Sequence, residues 1–148
     1  MSSERFYMKI AVYLILRDGD KVLVSLREGT GWKDGWYSLV AGHVEAGEAV
    51  EEAMVREAQE EAGINVYPKD LRHVFTMHRK SDDSLNDYID IFFECHSWGG
   101  EVHNNEPKKC AALEWVAINQ LPENTLGYIK FVLEQYAQGL SYSSMEKE

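Results

Sequence analysis

Three glutamates that lie close together in the sequence offer a set of oxygen ligands. Glu57, Glu60 and Glu61 fall within the segment REAQEEAG, residues 56–63. On an α-helix, residues three and four apart are neighbours, and like charges at that spacing destabilise the helix by roughly 0.2–0.5 kcal/mol per pair. A solvated acidic face would account for these residues. So would a divalent cation, because Mg²⁺ takes oxygen ligands and needs only a few carboxylates besides substrate phosphate.

The negative charge of the chain is concentrated around this segment. The formal net charge is −10, and residues 42–64 alone contain seven acids and a single base. Such a chain is a poor candidate for binding long nucleic acid, because phosphate contacts need lysine and arginine. It could still bind a small polyphosphate once a metal ion has reversed the local field.

The composition indicates one soluble globular domain. The 148 residues, 45% of them hydrophobic, suffice for one packed core over residues 1–148, with 1–6 and 141–148 expected to be flexible. No apolar run approaches the roughly 18–20 residues of a membrane span, and the N-terminus lacks the apolar stretch of a signal peptide, which favours a cytoplasmic location. Cys95 and Cys110 form no CxxC pair and are expected to be buried free thiols.

Hydrophobic patterning predicts a mixed sheet with a helix on each side. Apolar and β-branched runs predict strands at residues 8–16, 21–27, 37–40, 71–80, 87–98 and 111–118. The turn sequence RDGD joins the first two as a hairpin, and polar loops are expected at 28–36, 42–48, 81–87 and 98–109. One helix is predicted over 48–62 with Gly63 as its C-cap, and a second over 125–139 with Asn124 or Thr125 as its N-cap.

The acids belong to a longer pattern of fixed spacing. Gly42 is followed after five residues by Glu48, and after seven more by the segment from Arg56 to Ile64. This stretch resembles in full the Nudix hydrolase signature: Gly, five residues, Glu, seven residues, Arg-Glu, an apolar residue, any residue, Glu-Glu, any residue, Gly and an apolar residue. The resemblance implies an α/β fold, a Nudix-type α/β/α sandwich with a mixed β-sheet flanked by helices. It also implies a hydrolase that cleaves a phosphoanhydride bond.

The resemblance implies a metal site at the three glutamates. In Nudix enzymes the acids matching Glu57, Glu60 and Glu61 bind Mg²⁺ or Mn²⁺, and a backbone carbonyl at the position of Ala41 assists. Many relatives have Pro-Gly where this chain has Val40 and Ala41. Ala41 must therefore tolerate the dihedral angles of that position if its carbonyl is to be a ligand.

Further roles follow from the same resemblance. Arg56 is expected to orient the acidic side chains and Glu48 to be structural. MutT-type nucleoside triphosphate pyrophosphohydrolases carry a late acid eight residues after a tryptophan, as Glu106 stands after Trp98. Glu106 is thus a candidate metal ligand or general base, with an ordinary loop glutamate as the alternative. Arg27 stands where relatives place a phosphate-binding base, although it could equally be an exposed arginine at a strand end.

The nucleoside contacts are less defined. Asn124 and Tyr128 lie near the position at which MutT-type relatives contact the base. Candidates for stacking on the base are the aromatic residues Trp32, Trp36, Tyr37 and Phe75, although aromatic residues in a sheet more often belong to the core. The region 79–81 carries neither the proline of ADP-ribose hydrolases nor the tyrosine of dinucleoside polyphosphate hydrolases, which favours a nucleoside triphosphate.

The resulting hypothesis is a Mg²⁺-dependent enzyme, with Mn²⁺ as a second option, that converts a nucleoside triphosphate to the monophosphate and pyrophosphate in nucleotide-pool housekeeping. Glu57, Glu60 and Glu106 all remain open as the general base. One alternative is hydrolysis of another nucleoside diphosphate derivative, such as a nucleotide sugar, ADP-ribose or a dinucleoside polyphosphate. Another is a module that binds nucleotides without hydrolysing them. The oligomeric state is open, and a homodimer is one option.

Overall fold

The fold is built around a mixed β-sheet. The computed structural model describes residues 5–81 and 86–146. Within those residues the strands are β1 Lys9–Asp18, β2 Lys21–Arg27, β3 Tyr37–Ser38, β4 Val40–His43, β5 Arg72–Lys80, β6 Tyr88–Cys95, β7 Cys110–Ala117 and β8 Tyr142–Glu146. The helices are α1 Val50–Ala62 and α2 Gly127–Ala137, and Pro68–Asp70 form a single 3₁₀ turn. The predicted mixed sheet flanked by helices is confirmed.

Strand β1 organises the sheet because it pairs with three others. It runs parallel to β6 along residues 9–16 and antiparallel to β4 along residues 11–14. Its last residues, Arg17 and Asp18, form the predicted hairpin with β2. The order continues from β6 to β5 and β8 on one side, while β7 pairs with β2 on the other. This topology places β4, with Ala41 and Gly42, beside the centre of the sheet.

Both faces of the sheet are covered, which explains the uninterrupted apolar run in β1. Alternate residues of β1, including Tyr13, face a core that contains Phe92 and Ile129 of α2. The residues between them, including Leu14, face a second core that contains Met54 of α1. A strand buried on both faces reads as a continuous hydrophobic run rather than as an alternating one.

Helix α1 packs closely on the sheet through small side chains. Ala53, Ala58 and Ala62 are fully buried, so no long side chain separates the helix from the strands. The helix ends at Gly63, which has a φ of 65° and donates its N–H to the Gln59 carbonyl, as the sequence predicted. This close approach brings the acidic residues of α1 to the backbone of β4.

The glycine-containing segment after residue 40 differs from the prediction. The sequence analysis ended a strand at residue 40 and began a loop at Gly42, whereas residues 40–43 form β4 and pair with β1. The cap of α2 also differs, because it is Leu126 and makes no side-chain hydrogen bond. The predicted capping residue Asn124 instead donates its side-chain amide to the Gly35 carbonyl, at 2.8 Å.

The C-terminal segment contains a strand that hydrophobic patterning did not predict. Within residues 141–148, for which the sequence analysis expected flexibility, Tyr142–Glu146 form β8 and pair in parallel with residues 76–80 of β5. The backbone hydrogen bonds of this edge strand do not require an apolar sequence, which is why hydrophobic patterning missed it. The expectations for residues 1–4, 82–85 and 147–148 fall outside the described residues.

Two further features bear on the expectations from composition. Cys95 and Cys110 are buried free thiols. In the part of the chain that the structure describes, every helix is too short or too polar to cross a membrane.

The close packing of α1 predicts a specific sensitivity to side-chain size. Ala58→Leu adds three carbons at a fully buried position and should lower the free energy of unfolding by about 1–3 kcal/mol through overpacking. Ala137→Leu makes the same addition at an exposed position of α2 and should alter it by no more than about 0.5 kcal/mol. Urea denaturation of both variants measures the difference. Equal stability of the two variants would contradict this account of the packing.

Candidate active site

Arg56 gathers the acidic side chains at the edge of α1. Its Nε and Nη2 donate to both carboxylate oxygens of Glu48, at 2.7 and 3.0 Å. Its Nη1 donates to Glu57 at 2.8 Å and to Glu60 at 3.2 Å. Nη2 also donates to the backbone carbonyl of His43 at 3.0 Å, which ties β4 to the helix. The bond from Arg56 lowers the pKa of Glu48, so this carboxylate stays ionised as the fixed partner of the guanidinium.

Gly42 leaves room for the carboxylate of Glu57. A Cβ added at Gly42 would lie well within 3.0 Å of the carboxylate carbon and of both oxygens of Glu57. The side chain of Glu57 is only 13% exposed, because it lies directly on the backbone of β4. The close approach of the Glu57 carboxylate therefore explains the first glycine of the motif.

Glu61 lies deeper in the same site. Burial raises the pKa of Glu61 well above its usual range, and a hydrogen bond with Glu57 and repulsion from Glu57 and Glu106 add to the effect. The N–H of Ala41 points to the Glu61 carboxylate at 3.5 Å. An ionised carboxylate at this position is therefore unfavourable unless a positive charge lies beside it.

The loop before β7 brings Glu106 to the acids of α1. The backbone N–H of Asn105 donates to the Glu61 carbonyl at 3.1 Å, and its side-chain amide donates to the Gln59 carbonyl at 3.2 Å. Asn104 then accepts a hydrogen bond from the N–H of Glu106 at 3.1 Å. These bonds fasten the loop to the last turn of α1, and Glu106 lies in the same cavity as Glu57 and Glu61.

This acidic cavity, of about 470 Å³, has walls of opposite charge. Glu57, Glu60, Glu61 and Glu106 form one wall, and Arg27 and Lys109 line another part. Arg27 is held in place by the Trp32 carbonyl at 2.9 Å and by the Thr30 hydroxyl at 2.9 Å. A polyphosphate could thus contact cations on one side while a metal ion bridges it to the acids on the other. The sequence analysis did not identify Lys109.

The side chains are not preassembled around an ion. Among residues 5–81 and 86–146, no three histidine, cysteine, aspartate or glutamate side chains are grouped closely enough to hold a metal. Glu57 and Glu60 instead turn toward Arg56. The metal-binding role of Ala41, Glu57, Glu60, Glu61 and Glu106 therefore stays a prediction. The residues fit a hard cation, because they supply oxygen donors, a buried carboxylate and an open cradle at Gly42.

A second cavity of about 340 Å³ adjoins the first and is largely aromatic. The two share Arg27, Ser38, Ala41, Gly42 and His43 in their walls. The second cavity is completed by Ala11, Tyr13, Trp32, Arg79, Tyr88 and Tyr128. A ligand could therefore extend from the acidic cavity into the aromatic one.

The predicted nucleoside contacts are only partly brought together. Tyr128 lines the aromatic cavity, and so does Trp32 among the four stacking candidates. Asn124 lies outside the described linings of both cavities and fastens a loop. The other stacking candidates lie elsewhere: Trp36 is near Lys33, the Tyr37 hydroxyl donates to Glu114, and Phe75 is buried in the core.

Sequence reasoning missed Arg79, Tyr13, Tyr88 and His43 in the aromatic cavity. One signal was available for Arg79. Phe75 and Met77 are buried in β5, so the alternation of a strand places Arg79 on the same inward face. A charged residue at an inward position needs a partner or a ligand.

Comparison with known proteins agrees with this geometry. The NUDIX domain family matches residues 8–135, so the chain belongs to the Nudix hydrolase family. The NAD-capped RNA hydrolase NudC of Pectobacterium carotovorum is 32% identical over 122 residues, which are 81% of this chain and 44% of that protein. The ADP-ribose pyrophosphatase of Methanocaldococcus jannaschii is 33% identical over 130 residues, or 86% of this chain and 74% of that protein. The chain thus spans less than half the length of the NudC relatives that it matches.

Solved structures show the same fold. The MutT NUDIX hydrolase from Burkholderia pseudomallei superimposes with a TM-score of 0.79 at 23% identity, covering 87% of this chain and 98% of that one. The MutT protein from Methanosarcina mazei gives a TM-score of 0.76 at 20% identity, covering 92% and 97%. These likenesses establish the α/β sandwich.

The contact between Gly42 and Glu57 predicts a large effect from one methyl group. Gly42→Ala should displace the Glu57 carboxylate and reduce kcat/KM for diphosphate hydrolysis by roughly 100-fold, the cost of a misplacement of about 1 Å in an active site. Gly99→Ala is the matched control, because its Cβ would meet the Tyr67 hydroxyl at an ordinary 3.6 Å. Steady-state kinetics of both variants make the comparison. Unchanged kinetics in Gly42→Ala would show that the carboxylate does not need this position.

Proposed function

We propose that this protein is a Mg²⁺-dependent pyrophosphohydrolase that converts a nucleoside triphosphate to the monophosphate and pyrophosphate. The proposal rests mainly on the continuity of the two cavities. One has acidic and basic walls that suit a metal-bound polyphosphate, and the adjoining one has aromatic walls that suit a nucleoside. The shared wall at Gly42 and His43 would lie beside the junction between phosphate and nucleoside.

The acidic residues would hold the metal. Glu57, Glu60, Glu61, Glu106 and the carbonyl of Ala41 supply the oxygen donors that Mg²⁺ prefers. When bound, such an ion offsets negative charge on phosphate oxygens and makes a water molecule more acidic. Arg56 would keep Glu48 fixed and release Glu57 and Glu60 to the ion. Its bonds to these two residues come from one nitrogen, whereas its bonds to Glu48 use two.

The basic wall would position the substrate. Arg27 is anchored by the Trp32 carbonyl and by Thr30, so its guanidinium stays beside the cavity. Arg27 and Lys109 would bind phosphate oxygens and stabilise the charge that develops as the anhydride bond breaks. A glutamate would accept the proton of the attacking water, and Glu57, Glu60 and Glu106 all lie in the cavity where this is required.

A second candidate function is favoured by the curated relatives. The proteins at 32–33% identity are named for ADP-ribose and for NAD-capped RNA, which contain a diphosphate between two nucleosides or ribosyl groups. Hydrolysis of such a diphosphate would use the same acids and the same basic wall. A nucleotide-binding module without activity is less well supported, because every acid of the motif is present.

A substrate panel separates these functions. The purified protein, incubated with ATP, GTP, ADP-ribose and NAD in the presence of Mg²⁺, should release pyrophosphate and a nucleoside monophosphate from the triphosphates. EDTA should abolish the reaction, because the substrate would lose its bridge to the acids. Mass spectrometry of the products is the measurement. Cleavage of ADP-ribose or NAD alone would replace the proposal with the second candidate, and no cleavage of any compound would favour the binding module.

Glu60→Gln tests the acids directly. The substitution removes one charge but keeps the size of the side chain, so kcat should fall by at least about 100-fold while the thermal unfolding midpoint stays close to that of the parent. Glu51→Gln changes an exposed acid of the same helix, outside the cavity, and should leave kcat unaffected. Full Mg²⁺-dependent activity of Glu60→Gln would refute the assignment.

A further inference from the structure

The aromatic cavity contains a buried arginine that the proposed reaction does not use. Arg79, at the end of β5, is 4% exposed, and its partner Asp90 is fully buried. Arg79 Nε donates to Asp90 Oδ2 at 2.7 Å, and Nη2 donates to Oδ1 at 3.2 Å. The guanidinium lies over the rings of Tyr88 and Tyr128, at 4.5 and 4.2 Å from their centroids. These contacts hold it in one orientation.

One side of this guanidinium faces the cavity. Arg79 lines the cavity, and Nε and Nη2 are the nitrogens that bond to Asp90 and Tyr13. Among the described residues Nη1 donates to no acceptor, and it is not one of the polar atoms sealed from solvent. It therefore presents a fixed donor to whatever enters. Placing such a donor opposite an acceptor costs little entropy, because the side chain is already ordered.

The surroundings favour a neutral flat ring over an anion. Asp90 already balances the charge of Arg79, so Arg79 adds little attraction for another phosphate, and Arg27 in the wall shared with the acidic cavity is the cation placed for phosphate. The walls include Tyr13 and Tyr128, whose hydroxyls lie 2.8 Å apart, and Trp32 stands at the rim. Burial raises the pKa of both tyrosines, so their hydroxyls stay neutral. Aromatic walls with one fixed donor suit a nucleobase.

We infer that this cavity binds the nucleobase of the substrate and that Arg79 selects bases with an oxo group at purine C6 or pyrimidine C4 over those with an amino group at that position. The inference rests on the proposed function for the position of the base next to the diphosphate. A carbonyl oxygen of hypoxanthine, guanine or uracil would accept from Nη1. The amino group of adenine or cytosine would place a second hydrogen-bond donor opposite Nη1. Arg79 Nη1 would then be desolvated without gaining an acceptor.

The unmodified protein provides the first test. ITP and ATP differ in an oxo against an amino group on the purine, and UTP and CTP differ in the same way on the pyrimidine. We expect kcat/KM to favour ITP over ATP, and UTP over CTP, by roughly 5- to 150-fold, the discrimination of one well-placed arginine–base contact. Equal values within each pair, or a preference for the amino bases, would overturn the inference.

A variant then tests whether Arg79 is the source of the preference. Arg79→Lys keeps a positive charge beside Asp90 but loses the planar guanidinium with its fixed N–H donors. The ratio of kcat/KM for ITP to kcat/KM for ATP should therefore fall toward one. Arg72→Lys is the matched control, because Arg72 lies on the same strand and pairs with a carboxylate, Glu94, at 2.7 Å, but is exposed. It should keep the parent ratio. An undiminished ratio in a folded Arg79→Lys protein would overturn the role of Arg79. If the variant does not fold, the inference is tested by the unmodified protein alone, through the comparisons of ITP with ATP and of UTP with CTP.

The base preference can be separated from the choice of reaction. If only dinucleotides are cleaved, the same comparison is made between nicotinamide hypoxanthine dinucleotide and NAD, and the hypoxanthine form should again be favoured. If nothing is cleaved, calorimetric titration should show tighter binding of IMP than of AMP. A failure of the proposed function thus appears as the wrong product or none, whereas a failure of this inference appears as equal or reversed preference within a pair.

Discussion

The shared guanidinium of Arg56 is the interaction on which the acidic site depends. Among the described residues it contacts the carboxylates of Glu45, Glu48, Glu57 and Glu60 and the backbone of His43. Without it, the acids of α1 and of the loop before it would repel one another. Glu61 lies beyond the reach of these bonds. Burial is the main cause of its raised pKa, and repulsion from Glu57 and Glu106, which Arg56 does not compensate at this point, adds to it. A divalent cation would supply that compensation, so the strain between like charges becomes a source of affinity for metal.

The fold places this helix against a stretch of backbone that can accommodate its side chains. Strand β4 pairs with β1 at the centre of the sheet, and Gly42 on β4 has no side chain to obstruct Glu57. The buried alanines of α1 allow the approach. Asn105 fixes the loop that carries Glu106 against the last turn of the helix, and Asn104 bonds to the Glu106 N–H within that loop. Packing and the placement of the acids are therefore coupled, since a helix that moved away from β4 would also take its acids out of the cavity.

Much of the acidic site could be predicted from the sequence because its parts are local. The spacing from Gly42 to Ile64 identified the acids, the arginine and the helix C-cap at Gly63, since the members of this pattern lie in one continuous stretch that runs from β4 through the following loop to the end of α1. The aromatic cavity could not be predicted, because Tyr13, Arg79 and Tyr128 meet only through the pairing of β1, β6 and β5 and the packing of α2. Strand β8 was missed because parallel pairing with β5 leaves no periodic pattern in its polar residues.

The account is tested most directly by locating the metal. A crystal grown with Mn²⁺ and a non-hydrolysable nucleoside triphosphate analogue should show anomalous scattering next to the carboxylates of Glu57 and Glu61. Arg56 should keep its hydrogen bonds to Glu48. The carboxylate of Glu57 should contact the ion and no longer the guanidinium. The contradicting result is an ordered nucleotide with no anomalous peak near these carboxylates, and with Glu57 and Glu60 still bound to Arg56.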